Sequence, residues 1–265
     1  MQATMIALAV AGMLLAETAG MAEDDAHVCT RAGDKQGPLL LLDDLRAALA
    51  EFLAGAPEAA ADTSAVDAML DGVVPPAEEA WRLPEPPELP EGQWVFVPPM
   101  PRGCNNSSGG TGLNLVEAGE HRGQFTIDLR AGAGQDSWAL ASPCLVFTPD
   151  RDGMVRCRTA IVLHGALAAD AQAAGDTLLR IGTMLAHCHP KDRGSYSERV
   201  ALEGGGMTGM VRLDNAVLLH EATFPVQGGV EHLFGVGVTG ACAARAGTAG
   251  MRLFGRVAYL TVEMQ

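Results

Sequence analysis

Two histidines separated by one residue are the first place in this chain where residue type and spacing could support chemistry. On a β-strand, His187 and His189 would share one face, and two imidazoles there could bind Zn²⁺ with His220 or His232 as a third ligand. Pro190 follows directly and begins a loop, which favours surface histidines instead. We therefore predict no metal site.

A second candidate is the run Gly235–Gly240, which matches the pattern GxGxxG of dinucleotide-binding proteins. That pattern requires a helix directly after it, and the segment that follows here is too short and too rich in glycine to form one. His220 and Glu221 begin an HExxH pattern but lack its second histidine, and GxSxG does not occur. We predict no cofactor, no catalytic residues and no enzymatic activity.

The negative net charge of the chain is concentrated in its N-terminal part. The 265 residues have a net charge of −14. Residues 1–112 contain 17 acidic and 5 basic residues, whereas residues 113–265 contain 15 acidic and 13 basic residues. Neither part has a basic stripe that could neutralise phosphates, so nucleic acid is excluded as a partner. The 32 glycines and 15 prolines are typical of a turn-rich β-protein.

Six cysteines permit disulfides without requiring them. Cys144 and Cys157 flank a turn signal at residues 149–153, which predicts a β-hairpin. If the turn centres on Asp150 and Arg151, the two cysteines face each other and could form a disulfide. If the turn centres one residue later, Cys144 lies opposite Thr159, and both cysteines are buried thiols.

The C-terminal part reads as a ladder of strands. In Gly123–Arg130 the apolar residues alternate with polar ones, and further strand candidates follow up to Met251–Glu263, with glycine-rich turns between them. Eight or nine short strands without repeated helices predict a mainly β fold, an antiparallel jelly roll or β-sandwich at residues 113–265.

Three smaller regions precede this head domain. Residues 1–25 are apolar and read either as a signal peptide or as an assembly anchor. Residues 26–74 are predicted to be helical, with one helix over Pro38–Leu53 and a weaker one over Asp62–Leu70. Residues 75–112 are predicted to be a linker, with a spacer rich in proline and glutamate followed by a flexible loop at Cys104–Gly112.

The ladder resembles the jelly-roll heads of trimeric virion spikes and fibres and of the tumour-necrosis-factor/C1q fold. The resemblance rests on the turn and strand Ala174–Ile181 and on the closing strand Val257–Glu263. In such heads the last strand lies inside the fold and a trimer stands on an N-terminal stalk. The resemblance therefore implies a homotrimer, although this chain lacks the aromatic-rich trimer core of that family.

Two functions are compatible with this organisation. The first is a virion structural protein, a phage-like spike or fibre, whose partners are its own copies, other virion proteins and a host glycan or protein. The second is an exported β-sandwich protein, either secreted or periplasmic, that binds a ligand and is stabilised by disulfides. In either case we expect binding in the loops of the head, where His189, Arg193 and Tyr196 could stack on or hydrogen-bond a ligand.

Overall fold

The structure is a computed structural model that describes residues 37–56, 62–90, 93–98, 104–119, 123–188 and 194–265. The predicted apolar segment at residues 1–25 lies outside these ranges. Among the residues described, no helix combines the length and the apolar character that a membrane crossing requires.

Within these ranges the chain forms a few helices and many strands. The helical elements are α1 (Gly37–Leu53), α2 (Ser64–Leu70) and a 3-10 turn at Glu78–Ala80. The first strands are β1 (Trp94–Phe96), β2 (Cys104–Gly110), β3 (Leu113–Gly119), β4 (Gln124–Ala131) and β5 (Gln135–Phe147). The long strands that follow are β6 (Gly153–Asp170), β7 (Thr177–Cys188), β8 (Ser195–Gly205), β9 (Thr208–Val226), β10 (His232–Ala244) and β11 (Thr248–Met264).

The strands form two antiparallel sheets that pack face to face. Sheet I has the order β3-β4-β11-β6-β9, with β1 paired to the end of β11, and sheet II has the order β2-β5-β10-β7-β8. Without the added strands β1 to β3, the orders are 4-11-6-9 and 5-10-7-8, which is the arrangement of an eight-stranded jelly roll. The predicted fold class is confirmed, and the closing strand β11 lies in the middle of sheet I.

The core lies between the two sheets and follows the alternation of the sequence. Phe125, Ile127 and Leu129 of β4 point inward and are at most 3% exposed. In strand β6, buried residues alternate with more exposed ones only in the first half. Residues 159–164 and 166–169 are buried on both faces of the sheet. The outer face of sheet I is therefore covered at one end and open at the other.

The two helices cover the outer faces of the sandwich. On sheet II, Leu41, Leu42, Leu45 and Leu49 of α1 pack against a cluster that contains Trp138, Leu140, Met184, Ala186 and Tyr196. On sheet I, Val66 and Leu70 of α2 pack against Ala166, Ala168 and Phe254. Each amphipathic helix thus buries its apolar side against a sheet rather than against another helix.

Three arginines on the outer face of sheet I hold the N-terminal region in place. The contacts are Arg130 with Asp67 at 2.9 Å, Arg252 with the carbonyl oxygen of Leu70 at 3.1 Å, and Arg256 with Glu78 at 2.8 Å. Arg130 is only 2% exposed, and its charge is compensated by Asp67 and by Asp128 of β4. The helical region and the sandwich are tightly coupled.

The segment that the sequence predicts as a linker also lies on the sandwich. Trp81, Pro84 and Pro87 are half-buried while the residues between them are exposed. A period of three is that of a polyproline II helix, so one side of the segment faces the protein. The ring of Trp81 lies 4.7 Å from that of His164 and 4.5 Å from the Cζ atom of Arg256.

The later part of the predicted linker is ordered as well. Strand β1 pairs with β11, and the predicted flexible loop at Cys104–Gly112 contains strand β2, which pairs with β5 at the edge of sheet II. Glycine and serine can form an edge strand here because the partner strand supplies the hydrogen bonds. The described part of residues 75–112 therefore belongs to the sandwich and not to a spacer.

The candidate disulfide between Cys144 and Cys157 is wrong. Strand β5, with Cys144, lies in sheet II, and strand β6, with Cys157, lies in sheet I, so the turn between them crosses from one sheet to the other. Both residues are buried thiols and are not bonded to each other. Burial raises the pKa of Cys157, which keeps its sulfur protonated.

Candidate binding site

Of the three predicted binding residues, only Tyr196 lies within the described residues. It is the second residue of β8 and is 3% exposed, beneath helix α1. Its hydroxyl donates a hydrogen bond to Asp44 of α1 at 2.6 Å. Tyr196 thus anchors α1, and it could not contact a ligand unless α1 moved. His189 and Arg193 lie outside the described residues, so the predicted loop site as a whole stays a prediction.

His187, which was expected at the surface, lies inside the sandwich, as do His220 and His232, whereas His189 is outside the described residues. His187, His220 and His232 are at most 6% exposed. A nitrogen of His187 lies 2.9 Å from a nitrogen of His232, and their rings are stacked. Cys188 belongs to the opposite face of the strand. No group of three or more potential metal ligands occurs among the residues that the structure describes.

His220 is held by two hydroxyl groups. Its Nδ1 lies 3.1 Å from the hydroxyl of Thr183, and its Nε2 lies 2.9 Å from that of Ser197. Burial, together with the charge of Arg199, lowers the pKa of His220 to about 4. A serine and a histidine at this distance could form a catalytic pair, but Ser197 is fully buried. The group therefore satisfies polar atoms in the core.

The glycine-rich run lies inside strand β10, and strand β11 follows after a short turn. A Cβ atom on Gly237 would come within 2.5 Å of the carbonyl oxygen of Ala141 in the neighbouring strand. This glycine thus permits close packing of the backbone, as expected for a glycine-rich strand and not for a nucleotide loop.

The open end of sheet I carries a different set of side chains. Here neighbouring strands place outward residues side by side: Glu263 beside Arg156, Arg158 beside Glu221, and Tyr259 and Leu219 on either side of Ala160. We define the outer patch as Arg156, Arg158, Leu219, Glu221, Tyr259 and Glu263. Adjacent strands are about 4.8 Å apart, so the ring of Tyr259 and the side chain of Leu219 start about 10 Å apart.

The charges of the outer patch compensate each other. Arg158 Nε donates to Glu221 at 2.5 Å, Arg156 binds the same carboxylate, and Arg158 also lies 3.3 Å from Glu263. Partial burial acts to raise the pKa of Glu221, but the hydrogen bonds and charges of the two arginines outweigh it and lower that pKa. Each of these groups keeps about a third or less of its side chain exposed.

Tyr259 gives the outer patch an aromatic ring. It is half-buried, and partial burial raises the pKa of its hydroxyl despite the opposing charge of Arg158. Leu219 is 49% exposed on the other side of Ala160. The outer patch thus combines an aromatic and an aliphatic surface with planar charged groups that can both donate and accept hydrogen bonds.

Sequence reasoning did not single out the outer patch. All its residues fall in segments that the sequence predicts as strands. The missing information was strand order, because β6, β9 and β11 meet only in the folded sheet. No local pattern in the sequence joins Tyr259 to Glu221.

Comparison with known proteins gives coarse structural likenesses only. The carbohydrate-binding module TmCBM61, in complex with β-1,4-galactotriose, aligns with a TM-score of 0.26 and 11% identity, over 60% of this chain and 88% of that one. The enzymatically active domain of tailspike protein 4 of bacteriophage CBA120 aligns with a TM-score of 0.27 and 10% identity, over 59% of this chain and 19% of that one.

A family 11 carbohydrate-binding module from Clostridium thermocellum, in complex with a mixed-linked tetrasaccharide, aligns with a TM-score of 0.23 and 10% identity. The alignment covers 59% of this chain and 87% of the module. No family model matches the sequence, and no curated protein matches it either.

Proposed function

We propose that this chain is a structural protein of a virion, a phage-like spike or fibre, which attaches to a neutral glycan on the host surface through the outer patch. The observation that supports this most directly is the half-buried ring of Tyr259 beside charge-compensated arginines and glutamates on an open sheet face. The non-polar side of a sugar ring can stack on an aromatic ring, while its hydroxyls hydrogen-bond to planar charged groups.

The choice of a neutral ligand follows from the charges. Two arginines and two glutamates in the outer patch leave no net charge to attract an anion or a cation. A protein partner remains the competing occupant, since Leu219 would also fit an apolar contact. The protein is not an enzyme under this proposal, and it needs no cofactor.

The glycan-binding test compares replacements of one residue. Purified full-length protein is applied to an array of neutral and acidic glycans, and the affinity for bound glycans is then measured by calorimetry. Tyr259→Ala should weaken binding at least tenfold, about 1.4 kcal/mol, while Tyr259→Phe should keep most of it because the ring is retained. Leu115→Ala is the matched control, since Leu115 is an exposed residue of sheet I outside the outer patch.

Binding that is unaffected by Tyr259→Ala would exclude the outer patch, and a wild-type protein that binds no glycan would contradict the proposal. Hydrolysis of a bound glycan would show that the protein is an enzyme.

Assembly is a separate part of the proposal. A spike or fibre should be a homo-oligomer, and the resemblance of the head implies a trimer. Light scattering of the full chain is expected to give three times the chain mass, and the protein should co-purify with particles. The alternative is an exported ligand-binding sandwich, now without the Cys144–Cys157 disulfide. A monomer whose mature N-terminus lies near Glu23 would favour that alternative.

A further inference from the structure

The open face of sheet I continues beyond the outer patch onto strand β1. Trp94 and Phe96 of β1 pack against the sandwich core. Because side chains alternate along a strand, the residues beside and between them face outward, and these are Gln93, Val95 and Val97. Val95 and Val97 are 40% and 52% exposed, and Gln93 is half-buried. We call these three outward residues the β1 border.

The register of β1 against β11 places the β1 border directly beside the outer patch. The two strands are antiparallel, with Val95 opposite Thr261. Continued by two residues in each direction, this register sets Val97 beside Tyr259 and Gln93 beside Glu263. Cross-strand neighbours of this kind have Cβ atoms about 5 Å apart. The open face is therefore one continuous surface over the strands β9, β6, β11 and β1.

Gln93 and Glu263 each have a buried side-chain oxygen that accepts no hydrogen bond from the residues that the structure describes. In both side chains this atom is Oε1. The Oε1 atom of Glu263 lies 3.3 Å from Nη1 of Arg158, which makes an ion pair but not a directed hydrogen bond. An unpaired buried acceptor is costly and usually has a partner. Two of them on neighbouring strands indicate a place where a donor from a ligand binds.

The donors that suit this place are hydroxyl groups. Carboxylate and amide oxygens only accept hydrogen bonds, so the partner must supply an O–H or N–H group. A metal cation is disfavoured, because the guanidinium of Arg158 already compensates the charge of Glu263. Glu263 keeps 17% of its side chain exposed, and the terminal torsion of glutamate and glutamine rotates broadly. Each oxygen can thus turn towards the surface and meet a hydroxyl.

The separation between this place and the ring of Tyr259 determines the length of the ligand. Glu263 follows Tyr259 by four residues on β11, which corresponds to about 13 Å at about 3.3 Å per residue. A single sugar ring is too small to stack on Tyr259 and also reach Glu263. Thr261 lies midway, and its neighbour Val95 offers an exposed apolar contact to a ring in between.

We propose that the β1 border completes the glycan site and that the ligand is an extended neutral oligosaccharide. One sugar unit stacks on Tyr259, a middle unit contacts Val95, and a further unit donates hydroxyls to Gln93 and Glu263. This inference rests on the proposed binding of a glycan by the outer patch. It adds the chain length of the ligand and the residues that select for it.

A length series tests the inference on the full-length protein. The series runs from the monosaccharide to the longest available oligomer of a neutral glycan that binds on the array. Affinity is measured by calorimetry, with nuclear magnetic resonance titration for the weak ligands. It should rise at least about tenfold once the chain is long enough to span from Tyr259 to Glu263. An affinity that is independent of chain length would overturn the inference.

Variants of the β1 border should act only on the longer ligands. Gln93→Leu removes the amide oxygen and should weaken long oligosaccharides about threefold to tenfold, the effect of one lost hydrogen bond, without changing the affinity for the monosaccharide. Tyr259→Ala should weaken ligands of every length. Glu263→Gln replaces a charged acceptor by a weaker neutral one and should also act on long ligands alone. Glu117→Gln is its matched control, because Glu117 is an exposed glutamate of β3 outside the site.

The stability of Gln93→Leu distinguishes ligand binding from a structural role. An acceptor without a partner in the free protein does not favour folding, so its removal should leave the midpoint of urea unfolding unchanged or raise it. A lower midpoint would show that Gln93 is satisfied within the protein, and the inference would be wrong.

The failure of this inference can be told from the failure of the proposed function. A wild-type protein that binds no glycan contradicts both. Binding that depends on Tyr259 but responds neither to chain length nor to Gln93→Leu leaves the proposed function intact and overturns only the role of the β1 border.

Discussion

His220 shows how a buried histidine ties stability to pH. Its pKa is about 4 in the folded protein and about 6.5 when unfolded, so the unfolded state binds the proton more readily. Its contribution to stability is complete above pH 6.5 and is lost as the pH falls towards 4. The total contribution from a shift of this size is about 3 kcal/mol.

The corresponding prediction concerns the pH dependence of unfolding. His220→Gln removes the titrating group but keeps a side chain that can hydrogen-bond to Thr183 or Ser197. We expect the wild type to lose about 3 kcal/mol more than this variant between pH 7 and pH 4, measured by urea unfolding at both values. Equal losses in the two proteins would show that His220 does not stay neutral in the fold.

At the scale of elements, strand β9 is a long edge strand that could pair with another chain. It has 19 residues and lies at the end of sheet I, with Val217 and Leu219 exposed on its outer face. Arg199 of β8 donates from Nη1 to the carbonyl oxygen of Leu219 at 2.9 Å, so a charged side chain blocks the edge at its most apolar point. Charged residues protect sheet edges against pairing with other chains.

Removal of this protection should affect solubility more than stability. Arg199→Ala is expected to form aggregates at concentrations where the wild type stays dispersed, as measured by light scattering over a concentration series. Arg212→Ala is the control, because Arg212 is an exposed arginine on β9 itself. If both variants behave alike, the loss of charge and not the contact with Leu219 determines solubility.

The elements themselves were predictable to different degrees. Alternation in β4 and the apolar stripe of α1 located those elements to within about two residues, because each depends on its own side chains. The polar strand β2 has no such signal, since its pairing with β5 determines it. The turn at residues 149–153 was recognised, but a local sequence cannot distinguish a hairpin from a connection between two sheets. The Cys144–Cys157 prediction failed for that reason.

At the scale of the whole molecule, the N-terminal region is structurally part of the jelly roll. The sequence predicts a head domain at residues 113–265, without the strands that precede it. In the structure those residues would lose strands β1 and β2, expose the cluster around Trp138 and Leu140, and leave Arg130 without Asp67. Arg130 would keep its ion pair with Asp128, so the loss of Asp67 would weaken the compensation of its buried charge without removing it.

We therefore expect a chain of residues 113–265 to be unfolded or insoluble, and a chain of residues 37–265 to fold cooperatively. Circular dichroism and thermal unfolding of both chains provide the measurement. A stable, soluble 113–265 chain would show that the helices and the proline-rich segment contribute little to the stability of the sandwich.

The central position of β11 has a consequence for how the protein is made. This strand is paired on one side with β4, more than a hundred residues earlier in the chain, and on the other with β6. During translation, sheet I stays split until the last seventeen-residue strand has left the ribosome. Until then the nascent chain exposes apolar strand faces, which makes it prone to aggregation during synthesis.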